Sequence, residues 1–140
     1  MLVATTSQGS EDSRGLRHII NWTRTNYGDW DILITENGFS NGNRSLEDSG
    51  RINYLESYLE QVSLVIHEDH HNVLGYSVWA LMDTFEWKSG YTSKFGLYDI
   101  DFNDPNQRET MRSSGVYYAC IIKHRNLNDC ASLLTPVIKD

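Results

Sequence analysis

Nowhere in the 140 residues does an apolar run approach the ~18 to 20 residues that a membrane-spanning helix needs. Clustered lysine and arginine are missing as well, since 12 basic residues stand against 19 acidic ones for a formal charge of −7. Nucleic-acid binding rests on neutralising phosphates with grouped cations, so this balance excludes a polyanion partner. Two cysteines, Cys120 and Cys130, are too few for a disulfide framework and leave the compartment open. Met1-Leu2-Val3-Ala4 runs straight into polar residues, without the basic start and long apolar centre of a secretory leader. What is present, 39% hydrophobic and 11% aromatic residues, suits a folded acidic domain rather than a disordered or collagen-like chain.

Residues 1–13 are small and polar and read as a flexible lead-in. From Arg14, Leu16, Ile19, Ile20 and Tyr27 recur at helical spacing, and Gly28-Asp29 supplies a stop, predicting an amphipathic helix over 14–27. The short run Asp31 to Glu36 reads as a strand buried on both faces. A polar loop over 40–51 ends at Asp48 or Ser49 as a helix cap. Ile52, Leu55, Leu59, Val62 and Ile66 then predict a helix of about four turns. Val73 to Met82 reads as a second strand covered on both faces, followed by a loop in which Phe95 to Phe102 is expected to pair as a hairpin. Asp104-Pro105-Asn106 is a turn signal, and Val116, Tyr117, Cys120, Ile121 and His124 predict a third helix. Residues 127–140 read as a tail. Doubly covered strands alternating with helices indicate parallel α/β architecture, and two strands suffice only for a piece of such a sheet.

Two segments carry chemistry. Ile34-Thr35-Glu36-Asn37-Gly38 sets a carboxylate at the C-terminal end of a strand, where α/β barrels present groups to substrate. Trp79-Ala80-Leu81-Met82-Asp83-Thr84-Phe85-Glu86-Trp87 places two tryptophans beside an acid at the mouth of the second strand. Sugar rings offer flat C–H faces and several hydroxyls, so an aromatic platform next to a carboxylate suits them, and Phe95 extends that platform. The alternative for the aromatics is ordinary core.

Together with Gly90-Tyr91-Thr92-Ser93-Lys94-Phe95-Gly96-Leu97-Tyr98, these motifs closely resemble glycoside hydrolase family 1, over residues 14–126. The resemblance implies a (β/α)₈ TIM barrel, of which this chain would hold the last two strands and their flanking helices, and retaining hydrolysis of β-glucosides or β-galactosides. Matched position by position, it makes Glu36 the nucleophile. Trp79 becomes the tryptophan under the glycone, Glu86 and Trp87 the pair that binds its outer hydroxyls, and Phe95 a wall of the pocket. Hydrolysis of this kind needs two carboxyl groups and water, so neither cofactor nor metal is expected. The acid/base belongs to an Asn-Glu-Pro motif, which does not occur in these residues. A barrel takes about 250 residues, so the chain is expected to be the C-terminal quarter to third of such an enzyme and inactive alone. A non-catalytic sugar-binding or regulatory remnant is the alternative, and a truncated product with exposed sheet edges a third reading.

Thr84 stands where the family usually has Asn and Lys94 where it has Arg, and the stretch before the last helix lacks the customary proline. His67 and His71, four apart, have the spacing of metal ligands but read as a solvated helix end. Asn21-Trp22-Thr23 and Asn43-Arg44-Ser45 have the form of N-glycosylation acceptors. Cys120 reads as a buried thiol, with a disulfide to Cys130 left open.

Overall fold

A computed structural model describes residues 12 to 133. Helix α1 spans Arg14–Tyr27 and ends where Gly28 adopts a positive φ and its N–H bonds back to Arg24 O. Strand β1 covers Ile32–Asn37, helix α2 Ser49–His67, strand β2 Val73–Val78 and helix α3 Ser113–His124. Strands β1 and β2 pair in parallel, so the chain crosses over through α2 as a βαβ unit. Helix α2 therefore runs nearer five turns than four.

Two clusters hold the unit together. Leu16 and Ile20 of α1 meet Ile32 and Ile34 of β1 and Tyr54, Tyr58, Val62 and Val65 of α2. On the other flank of α2, Ile52 and Leu55 meet Leu97, Tyr117 and Cys130. Serving two clusters, α2 buries a wide stripe that takes in Tyr54, Tyr58 and Val65, while Ile66 of the expected periodic set is 37% exposed. Tyr27 and Val116, expected on apolar faces, are exposed too.

Several expectations are corrected. Neither strand is covered on both faces: Leu33 and Leu74 are 47% and 62% exposed, because helices pack on one side of a two-stranded sheet. No barrel closes among the described residues. Strand β2 stops at Val78, four residues short of the expected end, and the Trp79–Ala80 peptide that follows is cis. The hairpin does not lie within Phe95–Phe102. It joins β3, Tyr98–Ile100, to β4, Glu109–Met111, antiparallel around the Asp104-Pro105-Asn106 turn. Part of the expected tail is structured, since Asn128–Leu133 forms a 3-10 turn whose Cys130 is disulfide-bonded to Cys120, which replaces the expected buried thiol. The rest of that tail, and most of the lead-in, lies outside the described residues. Among the described residues no helix is long and apolar enough to cross a membrane.

Candidate functional site

The site begins with an irregularity in β1. Ile32 and Ile34 take the buried face and Leu33 and Thr35 the open one, so strict alternation would turn Glu36 inward. Between Ile34 and Asn37 the register slips, three residues of β1 matching two of β2 from Tyr76 to Val78. A bulge of this kind re-aims the side chains beyond it. Asn37 takes the buried position instead, fully out of solvent, and Glu36 is half-buried.

Asn37 then joins the two strand ends. Its Oδ1 accepts from Tyr76 Oη at 2.6 Å, and its carbonyl accepts from Trp79 N at 2.9 Å. Burial raises the Tyr76 phenol above its ordinary value, which keeps it a donor. The Asn37 Nδ2 is buried with no hydrogen-bond partner among the described residues. At Gly38 a Cβ would stand 1.8 Å from the Trp79 carbonyl oxygen, so the two loops meet backbone to backbone.

The second strand end carries the aromatic platform. Trp79 Nε1 donates to Glu86 Oε1 at 3.1 Å, which fixes the indole and carboxylate as a pair. Burial pushes the Glu86 carboxyl up from its ordinary value; the Trp79 hydrogen bond opposes this, and the charges of Asp83 and Glu36 add to it. The Glu36 charge thus reaches Glu86 across the two strand ends. Trp87 follows in a 3-10 turn, Trp87–Ser89, with φ 47° and 85% exposure. A bulky residue held in the left-handed region stores strain, and such strain collects at functional loops. Phe95 is placed differently from the other aromatics, only 4% exposed, with its carbonyl accepting from Ala80 N at 3.2 Å.

Residues without an assigned role in the sequence hold this loop. Asp83 accepts from Gly96 N and from two nitrogens of Arg112, and Arg112 and Arg51 both donate to Gly96 O. Arg51 also donates to Lys94 O at 2.6 Å and pairs with Asp48 at 2.9 Å. Asp48 stands at the N-cap of α2, yet its carboxylate makes no capping bond to the N–H groups of that helix and serves Ser114 N and Oγ and the Arg51 guanidinium instead. The signal that could have found Asp83 was its place between Trp79 and Glu86.

The histidines expected at a helix end divide. His67 is exposed, whereas His71 is buried with its Nε2 2.7 Å from Asn21 Oδ1. Among the described residues no group of three or more His, Cys, Asp or Glu is arranged to hold a metal. A groove of about 920 Å³ lies between α2, β2 and α3, lined by Leu59, Val62, Ile66, Tyr76, Ile121 and Ile122, away from Glu36 and Glu86. The chemistry-bearing groups instead stand on an open ledge at the C-terminal ends of β1 and β2, the edge at which parallel α/β folds bind substrate.

The family model for glycosyl hydrolase family 1 matches residues 2–127. Myrosinase 1 of Brevicoryne brassicae is 44% identical over 108 residues, covering 77% of this chain and 23% of that protein. Human lactase/phlorizin hydrolase is 42% identical over 113 residues, 81% of this chain and 6% of its own length. The solved structure of aphid myrosinase superposes with a TM-score of 0.80 at 40% identity, covering 85% of this chain and 26% of that one. The chain thus spans about a quarter or less of these relatives.

Proposed function

The chain belongs to glycosyl hydrolase family 1, and from that premise we propose that it carries the nucleophile and part of the glycone site of a retaining β-glycosidase. Glu36 attacks the anomeric carbon and forms the glycosyl intermediate. Trp79 stacks under the sugar ring, while Glu86 and Trp87 take its outer hydroxyls and Phe95 lines the pocket. The observation that carries this reading is the pairing of strand ends: the β1 bulge aims Glu36 away from the core, and the Trp79–Glu86 pair stands in the loop just beyond the end of the adjacent strand.

Glu86 is not the acid partner in this reading. Retention needs a second carboxyl roughly 5 to 5.5 Å from the nucleophile that is free to give and take a proton. Glu86 is engaged by the Trp79 indole, and its remaining oxygen suits a sugar hydroxyl. With no Asn-Glu-Pro in the sequence, the acid/base comes from outside these residues, and the 140-residue chain does not turn over substrate.

Two experiments test this. Joined to a family 1 N-terminal segment that carries Asn-Glu-Pro, the chain is expected to support hydrolysis of an aryl β-glucoside, and Glu36→Gln to remove it. Hydrolysis that survives Glu36→Gln overturns the nucleophile assignment. The purified chain alone is expected to show no hydrolysis, and turnover that Glu36→Gln abolishes would overturn the missing-acid reading.

The exposed Trp79 and Trp87, with the half-buried Glu86 between them in sequence, also suit a sugar-binding remnant without catalysis. Calorimetric titration with gluconolactone separates the two, since heat from the isolated chain that vanishes in Trp79→Ala favours binding in its own right.

A further inference from the structure

The disulfide between Cys120 and Cys130 joins α3 to the 3-10 turn beyond it, with Cys130 fully buried. Paired structural cysteines persist in oxidising compartments, whereas cytosolic thiols are kept reduced. A chain that forms this bridge in the secretory lumen is exposed to transfer of oligosaccharide onto Asn-X-Ser/Thr. Two such triplets lie in the described residues, and the structure treats them oppositely.

At Asn21 both ends of the side-chain amide are in use. Its Nδ2 donates to Asp69 Oδ2 at 2.8 Å, and its Oδ1 stands 2.7 Å from Nε2 of the buried His71. Asp69 is itself gripped by Arg17, so this amide joins α1 to the end of α2. Replacing one of its N–H groups with a sugar would drive a bulky polar group into that junction and push apart the contacts that the amide makes with Asp69 and His71. The folded chain does not accommodate a glycan there.

Asn43 is the reverse case. The residue is exposed, and only its Oδ1 is engaged, accepting from Asn41 Nδ2 at 3.1 Å and from Ser45 N at 3.0 Å. Its Nδ2 has no partner among the described residues. The loop is anchored just after it, where Arg44 pairs with Asp99 and the carbonyls of Ser45 and Leu46 accept from Arg112 and Ser113. A glycan at this crest displaces no packed group.

We propose that Asn43, and not Asn21, is an N-glycosylation site of this chain. In the transfer, Asn43 Nδ2 forms a bond to the anomeric carbon of an oligosaccharide carried on a lipid pyrophosphate. The bond from that carbon to the pyrophosphate oxygen breaks with its electron pair, Nδ2 gives up one proton, and the lipid pyrophosphate leaves. The proposal is independent of the hydrolase reading.

The test is to direct the full 140-residue chain into the secretory pathway of animal cells with an added leader. Glycan occupancy at both asparagines is read by peptide mass after release with peptide N-glycosidase in ¹⁸O-water, in lumenal chains whose Cys120 and Cys130 are paired. Occupancy of Asn43 alone is expected, with the glycan lost in Asn43→Gln and retained in Asn21→Gln. A bare Asn43, an occupied Asn21, or a lumenal chain whose two cysteines remain free would each overturn the proposal.

Discussion

The Arg112 guanidinium donates to both carboxylate oxygens of Asp83, at 3.1 and 2.8 Å, with both side chains completely withdrawn from solvent. The same carboxylate accepts from Gly96 N at 2.9 Å, and Arg112 reaches Asp99 at 2.8 Å. One ion pair therefore ties the N-terminus of α3 to the strand β3 and to the loop between Trp79 and Glu86.

Removing one partner of a buried pair leaves the other charge without compensation, which costs about 3 to 5 kcal/mol. Asp83→Asn, close to isosteric, is expected to lower the unfolding free energy by about that amount. Arg112→Met should cost a similar amount, and the double variant less than the sum of the two. Urea denaturation followed by tryptophan fluorescence measures this, and strictly additive losses would show that the two groups do not act as a pair.

Little of this network was legible in the sequence, because burial of a charge is a long-range property that no spacing announces. Arg51 and Arg112 look like solvated residues of helix starts until Gly96 O and Lys94 O are brought against them. Helix boundaries fared better, being written in local signals such as Gly28 after α1. The bulge that re-aims Glu36 depends on how β1 meets β2, and the partner strand is 36 or more residues away. Leu33 and Leu74 show that an apolar strand records suitability for burial on both faces, while what covers the second face has to come from elsewhere. The Asp104-Pro105-Asn106 turn is a local signal, whereas the pairing of Tyr98–Ile100 with Glu109–Met111 across it is not, so the hairpin lies further along the chain than expected.

Gly38 is required by proximity rather than by φ. A methyl group placed 1.8 Å from the Trp79 carbonyl oxygen has to push the two strand ends apart. Gly38→Ala is expected to cost at least about 3 kcal/mol, at or above the upper end of ordinary overpacking, because the obstacle is backbone. The near-ultraviolet circular dichroism of Trp79 should change with it. Gly15→Ala, where a Cβ meets nothing within 4 Å, is the control: in the first turn of α1 it should cost no stability and leave the circular dichroism unchanged.

The Cys120–Cys130 bridge closes a loop of sequence separation 10. Loop-closure entropy puts its contribution at about 2 to 3 kcal/mol, acting through the unfolded chain. Cys120→Ser together with Cys130→Ser is expected to lose that much in urea titration, and the wild-type chain under reductant to match the double variant. Equal midpoints with and without reductant would show that the bridge contributes no stability.

Acid should reach the α1–α2 junction through Asp69. Hydrogen bonds from Arg17, at 2.7 and 2.6 Å, and from Asn21 hold its carboxyl down to about 2, against an ordinary 3.8. The folded state therefore favours the ionised form more strongly than the unfolded chain does. That contribution is fully present above the unfolded value and is lost as the pH falls from about 4 through about 2. Urea midpoints taken at steps of pH should fall more steeply below about pH 4 for the wild type than for Asp69→Asn, and differ by a constant amount above about pH 5. Curves that stay parallel down to about pH 2 would mean that Asp69 is not the group being titrated. Arg17→Met, which removes the donor instead of the acid, should flatten the same limb, since without the guanidinium the carboxyl returns towards its ordinary value.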